Sequence, residues 1–296
     1  MEVPRKKQEH PSTYFVQDRE NQDEVRRLEV QGQLLTRGMG GVLAEQPETR
    51  VFRHVLDVGC GTGDWLLNAA QIYPTMSLFG VDVSRTMIEY ARARAEARGM
   101  TNRVEFRVMD TLRMLEFPRG YFDLVNQRLG MSYLRTWDWP NLLQEYQRVT
   151  QLGGIIRVTE PAVVIESSSP ALTHLYCLVL DAFFRAGHLF ERESHGVTSQ
   201  LAGLLQQSGL QQVQTVEHVL IYRSGTEEGQ LLFEDIRRGF RTVVPFLRKW
   251  VQVPSDYEAL YQQVLTEMLE PDFVATWRML TAWGIKCDRF SSSALS

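Results

Sequence analysis

The sequence predicts an α/β fold with a largely parallel sheet covered by helices on both faces. Two observations carry this. Between Val51 and Thr159, short apolar runs alternate with longer amphipathic segments at the spacing of strand–helix units. The first run, Val51–Val58, ends in the glycine-rich turn Gly59-Cys60-Gly61-Thr62-Gly63, which opens the next helix. A hydrophobic content of 44% and a charged content of 23% in 296 residues supply enough apolar material for a sizeable core.

Taken in order, residues 1–12 read as a polar leader. Asp18 to about Leu43 reads as a helix with Val25, Leu28, Leu34 and Leu35 on its apolar side, broken by Gly38, Gly40 and Gly41. After the first strand, Thr62–Tyr73 is a helix stopped by Pro74, and Ser77–Val83 is the second strand. Ser84–Arg98 is a helix with Ser84 as N-cap and Gly99 beyond its end. Val104–Met109, Phe122–Gln127 and Ile155–Thr159 are the next strands, with a helix over Asn141–Thr150. Pro170–Gly187 and Thr198–Gln207 are helical, the latter with Thr198 as cap, and Val213–Tyr222 is a sixth strand. Glu227–Trp250, kinked at Pro245, and Ser255–Glu270, opened by a capping box at Ser255–Glu258, are helical. Thr276–Lys286 is the last strand.

Composition excludes several classes. A net charge of −4 argues against a nucleic-acid binder, which needs a dense basic face. The three cysteines, Cys60, Cys177 and Cys287, form no C-x-x-C pair, so neither a zinc ribbon nor a disulfide framework is expected, and a reducing cytoplasmic setting fits. No apolar signal segment opens the chain. The most apolar helix, around 170–190, carries His174, Asp181 and Arg185 and is not a membrane span. No metal-ligand spacing occurs.

The chemistry concentrates at the glycine turn. Glycine admits positive φ and lets a ligand approach the backbone. Asp82 ends the second strand 25 residues after Asp57, and an acid so placed accepts from both hydroxyls of a ribose. The pair points to an adenosine-containing ligand. The third glycine comes one residue earlier than in the G-x-G-x-x-G nicotinamide fingerprint, and Asp110-Thr111 follows the third strand.

Val55-Leu56-Asp57-Val58-Gly59-Cys60-Gly61-Thr62-Gly63 with Asp82 and Asp110 resembles the class I S-adenosylmethionine (SAM)-dependent methyltransferases over about 51–161. A narrower resemblance rests on Arg27-Leu28-x-x-Gln31, Trp65, Phe122–Val125 with Arg128, Asp138-Trp139-Pro140, Tyr146-x-Arg148 and Gly153-Gly154. It is to the subgroup of fungal secondary-metabolism regulators and bacterial natural-product methyltransferases. Two departures stand out: Gly32 where those relatives often carry His, and Gln151-Leu152 where they carry Lys-Pro.

The resemblance implies a Rossmann-like seven-stranded sheet, six strands parallel and the last antiparallel, with an N-terminal helical lid and a helical insertion before the last strand. The corresponding division is 1–50 leader and lid, 51–225 SAM-binding core including the helical segment 162–208, 226–272 helical cap, and 273–296 last strand and tail. It implies methyl transfer from SAM to an O, N or C nucleophile of a small, aromatic or polycyclic metabolite, releasing S-adenosylhomocysteine, with the chain a monomer or homodimer. Two alternatives stand beside it: a SAM-binding regulator or scaffold with little turnover, and an NAD-dependent oxidoreductase.

The implied cofactor-binding residues are Tyr14, Asp57, Gly59, Cys60, Gly61, Asp82, Val83, Met87, Asp110, Thr111, Gln127 and Arg128. Arg128 reads either as a clamp on the SAM carboxylate or as an ion pair to the Glu-rich N-terminal helix. Tyr14 and Phe15 read either as rings near the sulfonium or as packing for that helix. Cys60 reads as a small turn residue, and Trp65, Trp137, Trp139 and His218 as packing. A general base, where one is needed, would come from His174, His188, His195 or Glu160. Tyr176, Phe183 and Phe184, with part of the apolar faces of 226–271, are candidates for lining an acceptor pocket.

Overall fold

A computed structural model describes residues 14–16 and 22–288. The expected leader at 1–12 and the tail beyond 288 lie outside the described residues.

The strands are β1 (His54–Val58), β2 (Ser77–Asp82), β3 (Val104–Val108), β4 (Phe122–Arg128), β5 (Thr150–Pro161), β6 (Glu166–Ser167), β7 (Gln211–Arg223) and β8 (Val274–Ile285). The helices are α1 (Gln22–Gly38), α2 (Asp64–Ile72), α3 (Arg85–Ala97), α4 (Trp139–Val149), α5 (Pro170–Arg185), α6 (Thr198–Gln207), α7 (Glu227–Thr242), α8 (Val244–Trp250) and α9 (Tyr257–Glu267). The sheet runs β3-β2-β1-β4-β5-β8-β7. β1 to β5 are parallel along it; β8 lies antiparallel between β5 and β7, so β7 runs with the parallel set. The eighth strand, β6, is a two-residue addition: β8 extends past the end of β5 and pairs there through Thr276 and Ala275.

Strands covered on both faces need apolar residues without alternation, and Val55, Leu56 and Val58 are all fully buried. Helix starts follow capping chemistry where a side chain reaches the free amides. Ser84 accepts from the Met87 amide at 3.3 Å, Ser169 from Leu172 at 3.0 Å and Thr226 from Gly229 at 3.0 Å. Two expected caps do not form. Thr198 lies inside the first turn of α6 behind Val197, and its hydroxyl donates to the His195 carbonyl at 3.4 Å. At α9 the cap position is Asp256, which puts Glu258 too early in the helix for a capping box. The break between α7 and α8 precedes Pro245, whose ring cannot continue the helix. A Cβ at Gly32 would meet Asp64 Oδ2 at 2.9 Å, so α1 and α2 approach too closely there for a larger residue.

Polar side chains cross the middle of the sheet in one register row, Asp57 on β1, Asn126 on β4 and Arg157 on β5. Asn126 Nδ2 donates to Asp57 Oδ1 at 2.7 Å, and Arg157 Nη1 donates to Asn126 Oδ1 at 2.6 Å. Arg157 also pairs with Glu45, from the segment after α1, the two side chains being 0% and 2% exposed. One step along the strands, Thr159 and Thr281 share a hydrogen bond of 2.9 Å, and His218 Nε2 lies 3.1 Å from the Thr281 hydroxyl. Removing one member of a buried pair strands the other charge, at a cost of roughly 3–5 kcal/mol. Arg157→Ala is therefore expected to lose about that much stability in urea unfolding; a loss below about 1 kcal/mol would show the row to be dispensable.

Candidate functional site

The parallel strands end on a common edge, where open α/β sheets bind ligands. A cavity of about 350 Å³ opens there, within the range of small-molecule sites. Its floor is made of the strand ends and the segments that follow them: Gly59 and Gly61 after β1, Asp82–Ser84 at the end of β2, Asp110–Leu112 after β3, Arg128, Leu129 and Met131–Tyr133 around the end of β4 and Pro161–Val163 at the end of β5. Its opposite wall comes from Tyr14 and Phe15, from Arg27, Leu28 and Gln31 of α1, from Tyr176, Val179 and Phe183 of α5, and from α7.

The turn after β1 is a tight coil with φ of 69° at Gly59, 50° at Gly61 and 74° at Gly63. The Gly59 and Cys60 amides donate to the Val81 carbonyl at 2.8 and 3.0 Å, which ties the turn to β2. Gly61 faces open space; the nearest atom to a Cβ there would be Leu28 Cδ1 at 4.0 Å. Its amide donates to Asp82 Oδ2 at 3.0 Å, while the Ser84 amide donates to Asp82 Oδ1 at 2.8 Å. The Asp82 carboxylate is thus fixed on the cavity floor by one amide on each oxygen. Asp110 accepts from the Leu112 amide at 3.0 Å and pairs with Arg113 at 3.3 Å.

Residues 55–154 match the family model described as a methyltransferase domain. Demethylmenaquinone methyltransferase of Lactococcus lactis is 32% identical over 132 residues, 44% of this chain and 48% of that protein. Aklanonic acid methyltransferase DauC of a Streptomyces species is 35% identical over 124 residues, 42% of this chain and 54% of that one. The chain thus spans about half the length of the curated relatives it matches. Among solved structures, phosphoethanolamine N-methyltransferase 2 of Haemonchus contortus superposes with a TM-score of 0.56 at 18% identity, over 93% of this chain and 60% of that one. Residues 55–154 are thus similar to a methyltransferase domain, and the sheet has the Rossmann-like fold of that solved methyltransferase.

The fold brings together on the cavity lining nine of the residues singled out in the sequence: Tyr14, Gly59, Gly61, Asp82, Val83, Met87, Asp110, Thr111 and Arg128. Asp57, Cys60 and Gln127 are not on the lining. Asp57 belongs to the buried row, where burial lifts its carboxyl to about 6 against the pull of the Arg128 charge. Cys60 is buried in the turn, and burial beside Asp82 and Asp57 pushes its thiol well up, which suppresses the nucleophilic thiolate. Gln127 lies beneath the floor, accepting from the Tyr146 hydroxyl and donating to Glu160 Oε1 at 3.2 Å.

Arg128 makes no ion pair with a glutamate of α1 among the described residues; its partner on that helix is the Thr36 hydroxyl at 3.5 Å. Burial pulls its guanidinium down while the carboxylates of Asp57 and Asp64 push it up. Tyr14 and Phe15 both pack and line the cavity. The Tyr14 hydroxyl donates to Glu24 Oε1 at 2.6 Å, and the Phe15 ring lies 5.6 Å from that of Phe183.

None of the four candidate bases reaches the cavity lining. His174 and His195 are exposed on the outer surface. His188 is fully buried, with Nδ1 2.7 Å from the Leu134 carbonyl, and burial lowers it to about 3. Glu160 is fully buried under the loop after β4, accepting from the Gly130 amide at 2.7 Å and the Met131 amide at 3.0 Å. Of the proposed apolar wall, Tyr176 and Phe183 line the cavity and Phe184 does not. Trp65 and Trp139 are buried packing residues, whereas Trp137 is 65% exposed.

A buried polar cluster on the wall has no counterpart among the residues singled out for binding. Arg27 Nε and Nη2 donate to Glu24 at 2.8 and 2.7 Å, and Arg27 Nη1 donates to Asp235 Oδ1 at 3.0 Å. Gln31 Nε2 reaches Asp235 Oδ2 at 3.4 Å, and Thr242 donates to Glu24 Oε2 at 3.4 Å. The signal was an acid, Asp235, inside the apolar face of α7.

Burial raises the Glu160 carboxyl to about 7. Its native form therefore holds a proton that the unfolded chain releases from about pH 4.5, so its contribution to stability is present below that pH and is lost as pH rises to about 7. Glu160→Gln cannot ionise, and its stability relative to the parent chain is expected to improve from pH 5 to pH 8 in urea unfolding. An unchanged difference across that range would contradict the raised value.

Proposed function

We propose that the protein is a SAM-dependent methyltransferase acting on a small, largely apolar, ring-bearing molecule. The observation that carries this reading is the Asp82 carboxylate, held by the Gly61 and Ser84 amides on the cavity floor beside an open glycine turn. A carboxylate has lone pairs on both oxygens and accepts from the paired hydroxyls of a ribose. Gly61 gives the ligand room at the backbone, where a side chain would stand in its way. Asp110 and Arg128 line the same cavity, and in this reading Asp110 would accept from an amino group of a base and Arg128 would pair with a carboxylate. These residues fit SAM.

Bound there, SAM would supply a methyl group already activated by its sulfonium. The work of the protein is then alignment and exclusion of water. Leu129, Met131 and Pro161–Val163 continue the floor, and Phe15, Phe183, Phe240 and Val243 form an apolar wall opposite it. α1 with the segment at Tyr14–Phe15 serves as a lid and α7 as a cap. No histidine lines the cavity among the described residues, which suits an acceptor that ionises without a dedicated base.

Isothermal titration tests the reading. S-adenosylhomocysteine is expected to bind one-to-one and NAD not to bind. Asp82→Ala loses hydrogen bonds to a charged acceptor, each worth about 1.5–3 kcal/mol, so affinity should fall at least about tenfold with the circular dichroism spectrum unchanged. Unaltered affinity in the folded variant would sink the ribose assignment, and binding of NAD alone would replace the methyltransferase reading with the oxidoreductase one.

A further inference from the structure

Resting on that reading, we infer that Asp235 is the group that recognises the acceptor molecule, by accepting a hydrogen bond from an N–H or O–H on it. The cavity wall away from the glycine turn is built of rings, Phe15, Tyr176, Phe183, Phe240 and Trp277. Against these, the polar cluster of α1 and α7 supplies the directional contact.

Its hydrogen-bonding capacity is unevenly used. Glu24 accepts from Tyr14, twice from Arg27 and from Thr242, which occupies both of its oxygens. Arg27 directs four hydrogen bonds to Glu24, Tyr14 and Asp235, out of the five N–H groups a guanidinium has. Asp235 is different. Oδ1 takes Arg27 at 3.0 Å, but among the described residues Oδ2 takes only the long 3.4 Å contact from Gln31. The residue is 6% exposed and lines the cavity. A buried carboxylate has room for about four donors and strongly prefers to have them. Beyond one N–H of Arg27 and one of the Gln31 amide, the remaining capacity of this cluster is acceptor capacity, concentrated on Oδ2 of Asp235 at an aromatic-walled cavity. A molecule that fits presents rings to the wall and a hydrogen-bond donor to Asp235. One that presents a carboxylate there meets an acceptor and is rejected, because unpaired like groups in a dry site discriminate strongly.

The probes are ring compounds of one size: naphthalene, 2-naphthol, tetrahydroisoquinoline and 2-naphthoate, titrated into the full chain saturated with S-adenosylhomocysteine. At least one of 2-naphthol and tetrahydroisoquinoline is expected to bind about tenfold more tightly than naphthalene, the worth of one hydrogen bond to a charged group, and 2-naphthoate more weakly than naphthalene. The tighter of the two donors tells a neutral hydroxyl from a cationic amine. Asp235→Asn should cut the donor preference, read as the ratio of donor to naphthalene affinity in the same variant, to within about threefold. Equal binding of all four probes, a preference for 2-naphthoate, or a donor preference that survives in Asp235→Asn would overturn the assignment. Should that variant not fold, the ranking on the parent chain decides alone. Failure of S-adenosylhomocysteine to bind would count against the methyltransferase reading, and the same probe ranking without it would still judge Asp235.

Discussion

The site depends on a buried polar chain that runs across three strands. Glu45, Arg157, Asn126 and Asp57 satisfy one another in sequence, and the last three sit in one register row. Each member is buried away from water, so none can move without stranding its neighbour. That constraint holds β1, β4 and β5 in register just before their carboxyl ends, and therefore fixes where the glycine turn and the loop after β4 begin. Asp57 is not on the cavity lining, yet the turn that follows it is positioned by its bond to Asn126. Its place in the glycine motif reads as ligand binding from the sequence; in the fold it is tied to Asn126 beneath the glycine turn.

A second polar device works on the opposite wall. Arg27, held by Glu24 on its own helix, joins α1 to α7 through Asp235, more than 200 residues away in sequence. The pairs are buried, and buried pairs rarely add net stability; their value lies in specifying one geometry. Here that geometry closes the cavity with Tyr14 and Phe15 and fixes Asp235 on the wall. The floor is made by the parallel strands and the wall by added helices, so the two halves of the cavity differ in chemistry. Carboxylates and backbone amides dominate the first and rings the second.

The parallel core was legible because each of its signals is local. Apolar runs, a glycine turn, Ser84 capping α3 and Asp82 at a strand end are read within a few residues of one another. The wall was only partly legible because its contacts join distant segments. No periodicity pairs Arg27 with Asp235, and the spare acceptor of Asp235 exists only once Arg27 and Gln31 have taken their places. The candidate bases failed for a related reason. His188 and Glu160 follow or end elements near the cavity, but both turn inward to satisfy backbone groups, His188 beside the Leu134 carbonyl and Glu160 under the Gly130 and Met131 amides. The short strand β6 carries no pattern of its own and arises because β8 is longer than β5.

The central claim is that the adenosine-bearing ligand sits on the floor of the cavity, against the strand ends. Hydrogen–deuterium exchange with and without S-adenosylhomocysteine tests it most directly. Slowed exchange is expected in peptides spanning 59–63, 82–84 and 128–133, with no change in α9 or along β7. Binding that slows exchange elsewhere and leaves the 59–63 and 82–84 segments unchanged would contradict it.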